Sequence, residues 1–189
     1  MEVQIYEPVT IDPIAKVQSE ALRAEIELLT EIARLAASGE IELLWQAETQ
    51  IEFLGQYMIP GGGRSELAAA GIRLVEGPIE YSRMISPIHP FSGETWRTVQ
   101  VDFLKSLDHP RFRELRRACG ADQGSLVNGR QLKDAFHIWS AEVAGATHFM
   151  TTDFKLIRLV RSFKSCPPLV KVVRPSELLA DLGTAACSA

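Results

Sequence analysis

The sequence predicts an α/β fold, a three-layer α/β/α arrangement around a mostly parallel central sheet, and three observations predict it. Short apolar runs suited to buried strands, IELLW at 41–45, THFMTT at 147–152 and LVKVV at 169–173, are separated by longer stretches of helical character. In those stretches apolar residues recur every three or four positions, so each forms a helix with one buried face. Strands and helices that alternate in this way build a parallel sheet covered on both sides.

The elements follow in order. PVTID at 8–12 reads as a short strand ending at Asp12. A long helix is expected over 15–39, where Leu22, Ile26, Leu29, Ile32 and Leu35 share a face and Gly39 stops the period. IELLW is the next strand, and AETQIEFLGQYM at 47–58 resumes the helical period through Ile51, Leu54 and Met58. PGGGR at 60–64 is a flexible connection; it lacks the lysine and hydroxyl residue that end a phosphate-binding loop. A short helix at 64–71, a strand at 72–77 and a proline-broken loop at 85–94 follow, then one or two helices over 95–120 interrupted at Pro110. From Arg130 the pattern sharpens into a helix to about Ala144, a strand at 147–152, a helix at 154–163, a strand at 169–173 and a last helix opened by RPSELLADLG.

Size and composition narrow the function. The 189 residues, 46% hydrophobic and 23% charged, suit one globular domain, 1–189. A net charge of −4 excludes a binder held to nucleic acid by bulk positive charge, yet leaves room for a local basic strip. No apolar run approaches the roughly 20 residues that span a bilayer, and the first residues lack a signal peptide's basic start and apolar middle, so a cytoplasmic protein without membrane contact is expected. Cys119, Cys166 and Cys187 are odd in number and widely spaced, as reduced thiols are. His89, His109, His137 and His148 show no zinc-ligand spacing.

The acids point to chemistry. Ligands of open α/β sheets bind beyond the carboxyl ends of the strands. Asp12 follows the first expected strand and Asp153 follows THFMTT. Glu52 lies on the helix after the second strand, with Glu48 one turn before it on the same face, and Asp134 is expected to open the helix that leads into THFMTT. Carboxylates brought together repel one another unless a cation neutralises them, and an all-oxygen set suits Mg²⁺ or Mn²⁺. Taken singly, each aspartate has a plainer use as a helix cap or as a charge at a helix start.

The block DAFHIWSAEVAGATHFMTTDFKL resembles the PIN-domain ribonucleases, which include the VapC-type toxins of toxin–antitoxin pairs. Asp134, the Gly145-Ala146 turn, Thr151 and Asp153 match that family's helix-opening acid, turn and Thr-x-Asp strand end. LLWQAETQIEFLG is similar to its second strand and acid-bearing helix, which assigns Glu52 rather than Glu48. VTIDP resembles its first strand and terminal Asp12, and VKVVRPSELL its last strand and helix. The resemblance covers about half the chain. It departs at Pro13, where the family has Ser, Thr or Asn, with Glu7 beside the other candidate strand VQIY as a substitute acid, and in a long segment at about 60–128 that reads as an insertion.

The resemblance implies a metal-dependent endoribonuclease. Asp12, Glu52, Asp134 and Asp153 would hold Mg²⁺ or Mn²⁺, and Thr151 would orient the acidic edge through its hydroxyl. RNA is the implied substrate, an antitoxin protein and a second copy of the chain the implied partners, and a catalytically inactive PIN-like binding or scaffold module the alternative. His137, one turn from Asp134, reads as a core or supporting histidine rather than a catalytic one. Two cationic groups are within sequence reach of the acids, Arg158, Arg161 and Lys164 after Asp153, and Arg111, Arg113, Arg116 and Arg117 in the central segment. Their plainest role is a solvated helix face. Trp45 and Trp139 are expected in the core, which leaves Trp96 as the aromatic for base stacking.

Overall fold

Turn and cap chemistry sets the element boundaries. A computed structural model describes residues 19–46, 71–79, 93–123 and 127–186. In chain order these form α1 (Glu20–Glu27), α2 (Leu29–Ala37), β1 (Leu44–Gln46), β2 (Arg73–Val75), α3 (Gly93–Ser106), α4 (Pro110–Ala118), α5 (Gly129–Val143), β3 (His148–Met150), α6 (Phe154–Ser162), β4 (Lys171–Val173) and α7 (Pro175–Ala186). The architecture is mixed helix and strand. β3 runs parallel to β4 with Phe149 opposite Val172, β1 pairs with β2, and among the described residues each sheet is two-stranded.

The long helix expected over 15–39 is divided. Ser19 caps α1 by accepting the Leu22 N–H, and Leu28 separates α1 from α2. Leu28 keeps right-handed helical angles and its carbonyl still accepts the Ile32 N–H at 3.2 Å, so the chain tightens there without leaving the helical path. Hydrophobic periodicity is blind to such a break because both halves carry the same apolar face. Gly39 ends α2 as expected. At φ +79° it lets the Glu40 N–H return to the Leu35 carbonyl, a closure that places one left-handed residue after the helix. Pro110 also acts as expected, as the first residue of α4, where its missing N–H leaves no helical bond unmade.

The chain divides into two compact units. One contains α1, α2 and α7. Its buried acid, Glu25, is 6% exposed and accepts the Ser176 N–H at 2.9 Å and the Ser176 hydroxyl at 2.8 Å, with Arg174 at 3.6 Å. A carboxylate there satisfies the first free donor of α7, since Pro175 has none.

The other unit is organised around α5. Leu132, Ala135, Phe136, Ile138 and Trp139 pack with Leu104 of α3, Phe112 and Leu115 of α4, Leu156, Ile157 and Val160 of α6, and Val170 and Val172. The Phe112 ring stacks on Trp139 at 5.4 Å and meets Phe136 edge-on at 5.9 Å. Trp139 is therefore a core residue, as expected. The segment expected as an insertion supplies α3 and α4, which share the core of α5.

Candidate functional site

The site is built where β3 gives way to α6. Past Met150 the Thr151 N–H donates to the Val173 carbonyl at 2.9 Å and prolongs the ladder with β4. The Thr151 hydroxyl accepts the Asp153 N–H at 3.1 Å, and Asp153, with extended backbone angles, becomes the N-cap of α6. Its Oδ1 accepts the N–H groups of Lys155 and Leu156 at 2.9 and 3.0 Å, and its Oδ2 accepts Arg130 Nη2 at 2.8 Å. The side chain of Asp153 is 22% exposed, that of Arg130 76%. The Thr151 hydroxyl thus bonds the backbone of Asp153 at the start of α6.

Asp134 does not open its helix. α5 begins at Gly129 and is capped by Asn128, whose side-chain oxygen accepts the N–H groups of Arg130 and Gln131 at 3.1 and 3.2 Å. The helix thus starts one residue before the Arg130 at which the sequence pattern sharpens, and Asp134 lies in its second turn rather than at its head. There the carboxylate is half-buried and its charge reaches Cys119. Burial first, and then the Asp134 charge, push the Cys119 thiol well above its ordinary range, which keeps it protonated and unsuited to ligate a metal.

Arg130, Asp134 and His137 stand four and three residues apart, so they share one side of α5. Arg130 reaches Asp153 beyond β3, and His137 Nδ1 lies 2.9 Å from Nε2 of Gln46, the last residue of β1. One side of α5 therefore addresses the carboxyl ends of both β1 and β3, with Asp134 between the two contacts. His137 thereby joins α5 to the end of β1.

Asp12 and Glu52, and with them Glu7 and Glu48, lie outside the described residues. Among the described residues no group of three or more His, Cys, Asp or Glu gathers. Asp134 and Asp153 supply oxygen donors alone, the chemistry a hard divalent ion requires. Arg130, however, occupies the Asp153 oxygen that the helix cap leaves over.

The cationic groups are largely committed. Arg111 donates to Glu142 through Nε and Nη2 at 2.8 and 2.7 Å, to Glu114 at 3.0 Å, to Cys166 Sγ at 2.8 Å and to the Pro167 carbonyl at 3.0 Å. Glu142 also accepts the Leu169 N–H at 2.9 Å, so the cluster ties α4, α5 and the approach to β4 together. Arg113 pairs with Asp108 and Arg116 with Asp122. Arg161 donates to the Val172 carbonyl at 3.0 Å and Arg158 to that of Phe154 at 3.3 Å. Structure, rather than phosphate contact, is the work of Arg111.

Sequence reasoning passed over Arg130 and Gln46. Arg130 was findable, because a basic residue four positions before Asp134 shares its side of any helix that includes both. Gln46, a lone glutamine after an apolar run, gives no comparable signal. Comparison of the chain with protein-family models, with curated proteins and with solved structures finds no match in any of the three.

Proposed function

We propose that the chain is a PIN-type endoribonuclease with a three-layer α/β/α fold, in which Asp12, Glu52, Asp134 and Asp153 hold Mg²⁺ or Mn²⁺ and RNA phosphodiesters are hydrolysed. What supports this most is that one side of α5 contacts Gln46 at the end of β1 through His137 and Asp153 beyond β3 through Arg130, and carries Asp134 between those two residues. The bound ion would supply an activated water and offset the charge that develops on the phosphate. Thr151 holds the backbone of Asp153 in place, and the Gln46–His137 bond holds α5 against the end of β1.

Purified protein incubated with single-stranded RNA and Mg²⁺ or Mn²⁺ should cleave it. Asp134→Asn and Asp153→Asn should each lower the rate at least about a hundredfold, the scale on which removing one charge-stabilising group slows a reaction. Undiminished cleavage by both variants would defeat the assignment. A toxin role depends on this activity. It predicts growth arrest on expression, relieved by an antitoxin protein encoded nearby, and a harmless wild type counts against it.

The full use of Asp153, by the helix cap on one oxygen and Arg130 on the other, favours a second reading, a PIN-like binding or scaffold module without catalysis. Calorimetry with Mn²⁺ separates the two. Binding that Asp153→Asn abolishes supports the nuclease, and heat changes indistinguishable from buffer support the module.

A further inference from the structure

We infer that Arg130 is the resident counter-ion of the acidic edge, displaced from Asp153 when a divalent ion binds and then available to a phosphate of the RNA; this rests on the nuclease reading. Asp153 Oδ1 is held by two backbone N–H groups of α6 that cannot leave without fraying the helix. Among the described residues Oδ2 is held by a single donor, Arg130 Nη2 at 2.8 Å, on a side chain 76% exposed. The cation that can leave is therefore the arginine. An exposed pair of this kind is weak, so displacement costs little. Arg130 lies in the first turn of α5, four residues before Asp134. A guanidinium released there remains beside the acids, and its planar fork suits a phosphate as well as a carboxylate. The same side chain would neutralise the carboxylate in the free protein and face the substrate in the loaded one.

The test is a Mn²⁺ titration of the full chain, followed by the electron paramagnetic resonance signal of the free ion, on wild type, Arg130→Gln, Asp153→Asn and Lys155→Gln. A companion measurement is the salt dependence of binding to a single-stranded oligoribonucleotide. Arg130→Gln should bind Mn²⁺ about two- to fivefold more tightly, as removal of a competing surface pair allows. Lys155→Gln, which removes a nearby charge that makes no such pair, should change affinity by less than about 1.5-fold. For RNA, Arg130→Gln should lose about 0.7 from the slope of log affinity against log salt, the value of one phosphate contact on a single strand. Wild-type Mn²⁺ binding that Asp153→Asn abolishes but Arg130→Gln leaves unchanged or weaker overturns the role of Arg130 and leaves the nuclease reading intact. An equal gain in Lys155→Gln likewise reduces it to a general field effect and overturns it. Absence of Mn²⁺ binding in every protein overturns the nuclease reading, and this inference with it.

Discussion

At the scale of single residues, Asp153 joins two roles that mutation can separate. As N-cap of α6 it can be replaced by asparagine, whose side-chain oxygen accepts the same N–H groups, whereas alanine cannot cap. Asp153→Asn should therefore change the unfolding free energy by less than about 1 kcal/mol, and Asp153→Ala should cost at least about 1 kcal/mol in urea titrations. Loss of metal binding in the asparagine variant then reports on chemistry and not on folding. Cys119 offers a second check, with the sign fixed by its raised pKa. The buried thiol resists ionisation while the unfolded chain ionises near the ordinary value of 9.0, so its stabilising effect is complete below that pH and is lost as pH rises above it. Near pH 10 wild type should have lost on the order of 1 kcal/mol more, relative to pH 7, than Cys119→Ala. Equal losses in the two proteins would contradict the burial of the thiol. At this scale Asp153 and Thr151 were legible because a strand end and a helix start are local patterns. Arg130 was within reach of the same local reasoning, through its spacing from Asp134, whereas Gln46 was not, because a lone glutamine after an apolar run does not show which helix residue it meets.

At the scale of elements, α5 is the part on which the site depends, and its start is tightly defined. A Cβ on Gly129 would lie 2.9 Å from Val101 Cγ2 of α3, too close for any side chain, so Gly129→Ala should destabilise the protein by at least about 1 kcal/mol through overpacking. At the far end, Gly145 at φ +71° allows the Ala146 N–H to return to the Ala141 carbonyl and turns the chain into β3. Between them Arg111 neutralises Glu142, whose side chain is 4% exposed. Arg111→Met should cost about 3 kcal/mol, since it strands a buried carboxylate, and a change below about 1 kcal/mol in denaturant unfolding would show the cluster to be slack. Helices were legible where caps and periodicity agreed, as with Pro110 opening α4 and Gly39 after α2. The start of α5 was legible to within one residue, at Arg130 against Gly129, whereas the break at Leu28 was not, since it leaves the apolar face continuous.

At the scale of the whole molecule, the mixed helix-and-strand character followed from the alternation of apolar runs, and the β3–β4 pair has the parallel orientation that alternation predicts. The described strands are only three residues long, shorter than the apolar runs that announced them, because an apolar run marks burial and not the extent of pairing. The two helices of the central segment that share the α5 core, α3 and α4, were foreseen as helices but not as part of that core, since periodicity shows which face is buried and not what buries it. If the acids hold a metal, Mn²⁺ at a hundred times its dissociation constant should stabilise the chain by about 2.7 kcal/mol, and a chelator should return the melting temperature to that of the metal-free protein. The central claim is the gathering of four separated carboxylates around one or two hard ions, and anomalous diffraction from Mn²⁺-soaked crystals tests it most directly. A peak is expected at ligand distance from Asp134 and Asp153, with Asp12 and Glu52 completing the set and Arg130 turned away from Asp153. A peak elsewhere, or none while the Arg130–Asp153 pair persists at high Mn²⁺, would contradict it.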